Sequence, residues 1–178
     1  MVHISPRQID GKPGWRLTSE IQLPRPRHEV FAFFADAANL ELLTPPYLRF
    51  RILTPLPITM HTGTLIDYRI RLYGVPIGWR TRITAWEPGV RFIDEQLRGP
   101  YRRWIHQHEF EDAPGGTRMR DTVDYQVPGS TLINALFVRR AVRHIFEFRE
   151  TAMRCHFPAA HPPGTRPQPT QRTAAHPV

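Results

Sequence analysis

The chain has 178 residues, 40% of them hydrophobic, which suits one domain with a real core and short tails. Its net charge of +8 permits weak contact with nucleic acid or anionic lipid but specifies no nucleic acid, because the basic residues are scattered and almost all Arg. The longest uncharged apolar run, around residues 132–138, is far too short to span a bilayer, residues 1–14 hold no signal-peptide core, and the single cysteine, Cys155, excludes an internal disulfide and points to a reducing, cytoplasmic setting.

Residues 1–14 have no periodic apolar pattern and are expected to form a flexible arm. Trp15, Leu17, Ser19, Ile21 and Leu23 alternate, which predicts a strand that Pro24 and Pro26 stop. Residues 27–37 read as a helix, with Val30, Phe33, Phe34 and Ala37 at spacings of three and four. Residues 39–43 suggest a second short helix ended by Pro45 and Pro46, and residues 48–53 a short strand.

An antiparallel meander follows. Residues 64–72 put Ile66, Tyr68, Ile70 and Leu72 on one face and Asp67, Arg69 and Arg71 on the other. Residues 77–86 set Trp79, Thr81, Ile83 and Ala85 against Arg80, Arg82 and Thr84. Residues 91–97 share Phe92, Asp94 and Gln96 on one face. Turns fall at Gly74-Val75-Pro76, Glu87-Pro88-Gly89 and Gly99-Pro100. The arginines of the outer faces read as solvated.

The last two strands form a hairpin from Trp104 to Val127, with a loop at Ala113-Pro114-Gly115-Gly116. Trp104, His106, His108 and Phe110 share a face of its first arm; Met119, Asp121, Val123, Tyr125 and Val127 share a face of its second. Both faces are apolar enough to meet a core, so their polar members must satisfy one another or line a cavity. After Pro128-Gly129, Ser130 or Thr131 can cap a long helix to about Cys155, with Ile133, Phe137, Ala141, Ile145, Phe148, Ala152 and Cys155 as its apolar stripe. Cys155 is then a small buried hydrophobe. The Pro-rich residues 157–178 read as a disordered tail.

This order resembles the START-related helix-grip superfamily of polyketide cyclases/dehydrases, lipid-transfer domains and pollen allergens. Two stretches carry the resemblance. One runs from Leu23-Pro24-Arg25-Pro26 through Val30-Phe31, Asp36 and Asn39-Leu40 to Leu43-Thr44-Pro45-Pro46. The other runs from Gly99-Pro100-Tyr101 through Trp104, His106, His108 and Phe110 to Gly116-Thr117, Asp121, Val123, Tyr125 and Pro128. Together they look like a bacterial branch described as cyclase/dehydrase or coenzyme-Q-binding-like. The resemblance implies an α+β helix-grip domain over residues 15–156: a curved seven-stranded antiparallel sheet around the long C-terminal helix, with two short helices after the first strand. It also implies a central cavity for a lipid, quinone or polyketide, and it implies no single chemistry.

Under that topology the candidate ligand-binding residues are Tyr68, Trp79, Phe92, Asp94, Gln96, Trp104, His106, His108, Asp121, Tyr125, Phe148 and Arg149. His106 and His108 stand two apart on one face, a spacing that can chelate a metal with Asp94 or Asp121 as third ligand. They can equally form a structural His–Asp network, or a general acid/base pair with Tyr125 or Tyr68 donating to an oxyanion. Arg149 can pair with Asp121 or Asp94 or hold a ligand carboxylate, against a default reading as a surface residue near the helix end. No cofactor, metal or catalytic residue is assigned. The expected partner is a hydrophobic or amphipathic small molecule held by a carrier or sensor. The alternatives are a cyclase/dehydratase-type enzyme, and a basic interaction module making transient contact with a protein or membrane. The oligomeric state is left open.

Overall fold

A computed structural model describes residues 1–129 and 137–159. It opens on a hairpin, β1 (His3–Ile9) and β2 (Lys12–Leu23), whose connecting residues Asp10 and Gly11 both adopt positive φ. This corrects the expected flexible arm. The strand escapes sequence reading because Pro6 interrupts it and its buried side chains, Ile4 and Ile9, are not in register with a period of two. A proline is tolerated because β1 is the outermost strand of the sheet.

Helix α1 (Arg27–Ala35) follows β2 and buries Val30, Phe31, Phe33 and Phe34. The expected second helix is instead a pair of 3₁₀ turns, Ala37–Leu40 and Pro46–Leu48; Asp36 caps the first by accepting from the Ala38 N–H. The strand expected over residues 48–53 shrinks to β3 (Arg51–Ile52). Then come β4 (Leu65–Leu72), β5 (Val75–Glu87), β6 (Arg91–Arg98), β7 (Arg103–Ala113) and β8 (Gly116–Gln126), with the turn into β5 tighter than expected, at Tyr73-Gly74. The single sheet has eight strands rather than seven, all antiparallel, in the order β1-β2-β8-β7-β6-β5-β4-β3.

One glycine locks the hairpin against its neighbour. Gly116 has φ +149, and a side chain there would collide with the Leu23 carbonyl oxygen. Next to it, the Thr117 hydroxyl donates to the Arg25 carbonyl at 2.7 Å. The end of β2 is thereby pinned to the start of β8.

Helix α2 (Arg139–His156) lies on the inner face of the sheet. Its buried positions are Val142, Phe146, Arg149 and Met153, one residue out of phase with the expected stripe. Phe137 is exposed, as is Cys155, which is therefore no buried hydrophobe. Arg149, expected at the surface, is buried. The proposed cap at Ser130 or Thr131, Ile133 and residues 160–178 of the expected tail lie outside the described residues; Phe157, placed at the start of that tail, is instead buried against Phe33. Among the described residues no helix is long and apolar enough to cross a membrane.

The core has two apolar lobes. One joins α1 to Phe92, Phe110, Met119 and Met153; the other joins Trp15, Trp79, Trp104, Val123 and Tyr125 to Val142 and Phe146. Between them the sheet carries its inward polar groups.

Candidate functional site

Strand register assembles the site. Across β6 and β7, Asp94 faces His106 and Phe92 faces His108; across β7 and β8, His108 faces Asp121. The two histidines thus stand side by side, rings 3.8 Å apart, with one carboxylate on each flank. Diagonal neighbours on a sheet face are within reach of such side chains. His106 Nε2–H donates to Asp121 Oδ1 at 2.9 Å, and His108 Nε2 lies 3.0 Å from Asp94 Oδ2. His108 Nδ1 lies 2.9 Å from the same Asp121 Oδ1, and His106 Nδ1 lies 3.6 Å from Asp94 Oδ2.

Arg149 completes the cluster from α2. Its Nε donates to Asp121 Oδ2 at 3.2 Å, and its Nη2 lies 3.3 Å from His108 Nδ1. Its guanidinium also sits over the Phe34 ring, 5.1 Å from the centroid. Asp121 is only 2% exposed, so an unpaired charge there would be severely penalised.

Burial alone would push Asp121 up, but the Arg149 charge and the two histidines outweigh it and hold the carboxyl well below its usual range. Asp94 behaves likewise: burial opposes ionisation, while the His108 hydrogen bond and the His106, His108 and Arg149 charges favour it, leaving it lowered. Burial, then the neighbouring His108, push His106 down and favour its neutral ring; Asp121 pulls the other way and is outweighed. Tyr68 is held well above its ordinary value by burial first and by Asp94 second, so it stays a proton donor.

A cavity of about 170 Å³ opens beside this cluster, with mainly apolar walls. The sheet contributes Tyr68, Trp79, Phe92, Asp94, Trp104, His106 and His108; α2 contributes Ile145, Phe146 and Arg149. Four candidates from the sequence do not reach it. Asp121 lies behind the histidines. Gln96 turns away, its side chain donating to and accepting from the Tyr101 backbone. Tyr125 is fully buried among Trp15, Tyr101 and Trp104. Phe148 follows the phase shift of α2 off the cavity face.

The sequence reading missed the cavity's other wall. Phe33 and Phe34 of α1, Leu40 of the first 3₁₀ turn, and Leu43, Leu48, Phe50 and Met60 beyond it all line it. No local signal separates an apolar side chain that fills the core from one that lines a wall. Phe146, 5.4 Å from His106, was missed because the helix phase was misjudged. Phe92 stacks on His108 at 4.1 Å and 20°, fixing the ring's plane.

A family model described as polyketide cyclase / dehydrase and lipid transport matches residues 23–154. The chain belongs to this family. The match takes in α1, most of α2 and every strand of the site, so the polyketide cyclase/dehydrase and lipid transport family covers the whole cavity wall. Membership supports binding of hydrophobic small molecules or cyclase-type chemistry, without choosing between them. Two uncharacterized Mycobacterium tuberculosis proteins, from strains CDC 1551 and H37Rv, are 29% identical over 124 residues; these cover 68% of this chain and 52% of theirs, so the chain spans about half the length of the curated relatives it matches.

Solved structures agree on the fold. Protein CV1439 from Chromobacterium violaceum aligns with a TM-score of 0.64 at 12% identity, over 80% of this chain and 96% of its own. Ms6760 from Mycobacterium smegmatis gives 0.60 at 15%, over 88% and 97%. The di-domain ARO/CYC StfQ from the steffimycin biosynthetic pathway gives 0.62 at 12%, over 80% of this chain and 50% of that one.

Proposed function

We propose that this family member is a carrier or sensor of a hydrophobic or amphipathic small molecule. The observation that carries the reading is the cavity's division: apolar and aromatic over most of its wall, with Asp94, His106 and His108 gathered at one place. The ligand's ring or acyl segment lies among Trp79, Phe92, Trp104 and Phe34, and its polar group meets the histidines. Tyr68, Trp79 and Arg149 complete the contact set, whereas Asp121, Tyr125, Gln96 and Phe148 act from behind the wall or not at all.

The volume restricts the occupant. A cavity of about 150 Å³ takes a benzene-sized ring; one of about 170 Å³ takes the ring head of a quinone or aromatic polyketide, or a short acyl segment. A longer tail must leave through the mouth. Leu42 and Tyr47 stand exposed on the segment that also supplies Leu43 and Leu48 to the cavity, which fits transient loading at a membrane. The lone cysteine fits a cytoplasmic setting.

The test is native mass spectrometry of the full chain purified without detergent, joined to titration with small phenols and aromatic ketones read by tryptophan fluorescence. A one-to-one adduct is expected, and Ile66→Phe, on the cavity wall, should weaken it at least tenfold while the fold persists. A folded protein that binds none of these probes overturns the reading.

A second reading has its own support: His106, His108, Asp94 and Tyr68 line the same cavity, a set suited to general acid/base work on a ketone or enol. A cyclase/dehydratase of this kind loses turnover on an aromatic or polyketide-like ketone in His108→Ala while keeping its far-UV circular dichroism. Turnover that survives the substitution removes His108 from the chemistry.

A further inference from the structure

Both histidines are flanked by carboxylates on both sides, and a neutral imidazole has only one N–H. On the helix side, His106 Nε2 and His108 Nδ1 both lie 2.9 Å from a single oxygen, Asp121 Oδ1. Asp121 is in turn held by Arg149 through its other oxygen. If each ring gives its one proton to Asp121, the remaining nitrogens, His106 Nδ1 and His108 Nε2, present lone pairs. Both face Asp94 Oδ2, at 3.6 and 3.0 Å. Three lone-pair atoms then converge within 4.8 Å of one another, on the wall of the cavity.

A cation selects this arrangement; without one, His108 gives its N–H to Asp94 and accepts from Arg149 at Nδ1. One divalent ion satisfies all three atoms at once. With neutral rings the cluster holds two carboxylates against one guanidinium; the ion reverses that sign and leaves coordination positions open to a ligand oxygen in the cavity.

We propose that Asp94, His106 and His108 bind a divalent first-row transition metal, with Asp121 and Arg149 as its outer support. Two imidazoles and one carboxylate with open positions suit zinc, iron(II) or cobalt(II) rather than magnesium or calcium. Asp121 plays the part such sites give to an outer carboxylate: it fixes the tautomer and plane of both ligating rings. Phe92, stacked on His108, restrains the same ring from the side. The alternation on β7 that aims both histidines inward, and the register that brings Asp94 beside them, make the site a product of the sheet itself.

The experiment uses the full chain, stripped with a chelator and titrated with cobalt(II) alone, then with zinc. No organic ligand is added, so its outcome is independent of the carrier reading. Saturable visible ligand-field absorption at one cobalt per chain is expected, with zinc displacing it. Asp94→Asn should weaken binding at least tenfold, and Asp121→Asn, which touches no metal, about 10- to 100-fold. His61→Ala, at an exposed histidine outside the cluster, should change nothing. Circular dichroism confirms that each variant folds; should His106→Ala fail to fold, Asp94→Asn, at the cavity surface, still decides. A folded wild type with no saturable absorption overturns the proposal, as does cobalt binding that Asp94→Asn leaves unchanged.

Discussion

The two faces of the same sheet spend their charges differently. On β8, Asp121 points inward and Asp124 outward, three residues apart. Arg16 donates twice to Asp124, at 2.7 Å each, from the neighbouring strand; Arg149 holds Asp121 from the helix. The outer face repeats its motif at Arg80–Asp67, Arg120–Glu20 and Arg118–Glu111, all cross-strand and all open to solvent. The inner face gathers its cluster around Asp121, which is buried from water. The lesson is that similar geometry carries different weight. A solvated pair is screened and easily replaced by water, whereas a buried group that loses its partner keeps its whole desolvation penalty.

The sharpest way to break this contrast is to remove the inner cation. Arg149→Met keeps much of the side-chain volume but strands the Asp121 charge; it should lower stability by about 3–5 kcal/mol in urea unfolding. If the loss is no larger than that of an outer arginine, the cluster is not the buried unit described.

Acid titrates the contrast next. His106 is pushed below its unfolded value of 6.5, and Asp94 and Asp121 below theirs of 3.8. In each case the unfolded chain takes up the proton first, so stability rises with pH across the window between folded and unfolded values. Stability should therefore be complete above about pH 6.5 and begin to fall below it as His106 contributes. The fall continues below about pH 4 as the carboxylates join, at no more than about 1.4 kcal/mol per pH unit for each proton. Unfolding midpoints measured between pH 8 and 3 check this; a midpoint that rises on acidification from pH 7 to 5 contradicts it.

The smallest effect belongs to the outer face. Arg16→Ala should cost about 1 kcal/mol or less, and salt should shrink the difference from wild type. A loss approaching that of Arg149→Met would erase the distinction between the faces.

Much of the site was legible beforehand. Period-two alternation needs no partner to be read, so the inward set Trp104, His106, His108 and Asp121 emerged from residues alone, whereas the helix grip came from the resemblance their order carries. Asp94 joined them because β6 also alternates cleanly. Gln96 did not, because the pairing of β5 with β6 slips between Arg80 and Thr81, and a bulge is invisible in a run of alternating residues. The site's far wall was illegible for another reason: Phe34, Leu43 and Met60 reach the cavity from segments whose position is set by packing.

Helix α2 shows the boundary most plainly. Two stripes compete on it, residues 141, 145, 148, 152 and 155 against residues 142, 146, 149 and 153, both at helical spacing. The first is wholly apolar and the second contains an arginine, so the sequence favours the first. The structure takes the second, because Asp121 waits opposite for a cation and Met153 and Phe146 fill the lobes on either side. The residues themselves determined which groups each strand turns inward, since a strand's faces follow from its backbone. The phase of the helix, the edge strand β1 and the size of the cavity were decided only in three dimensions, because each depends on what an element packs against.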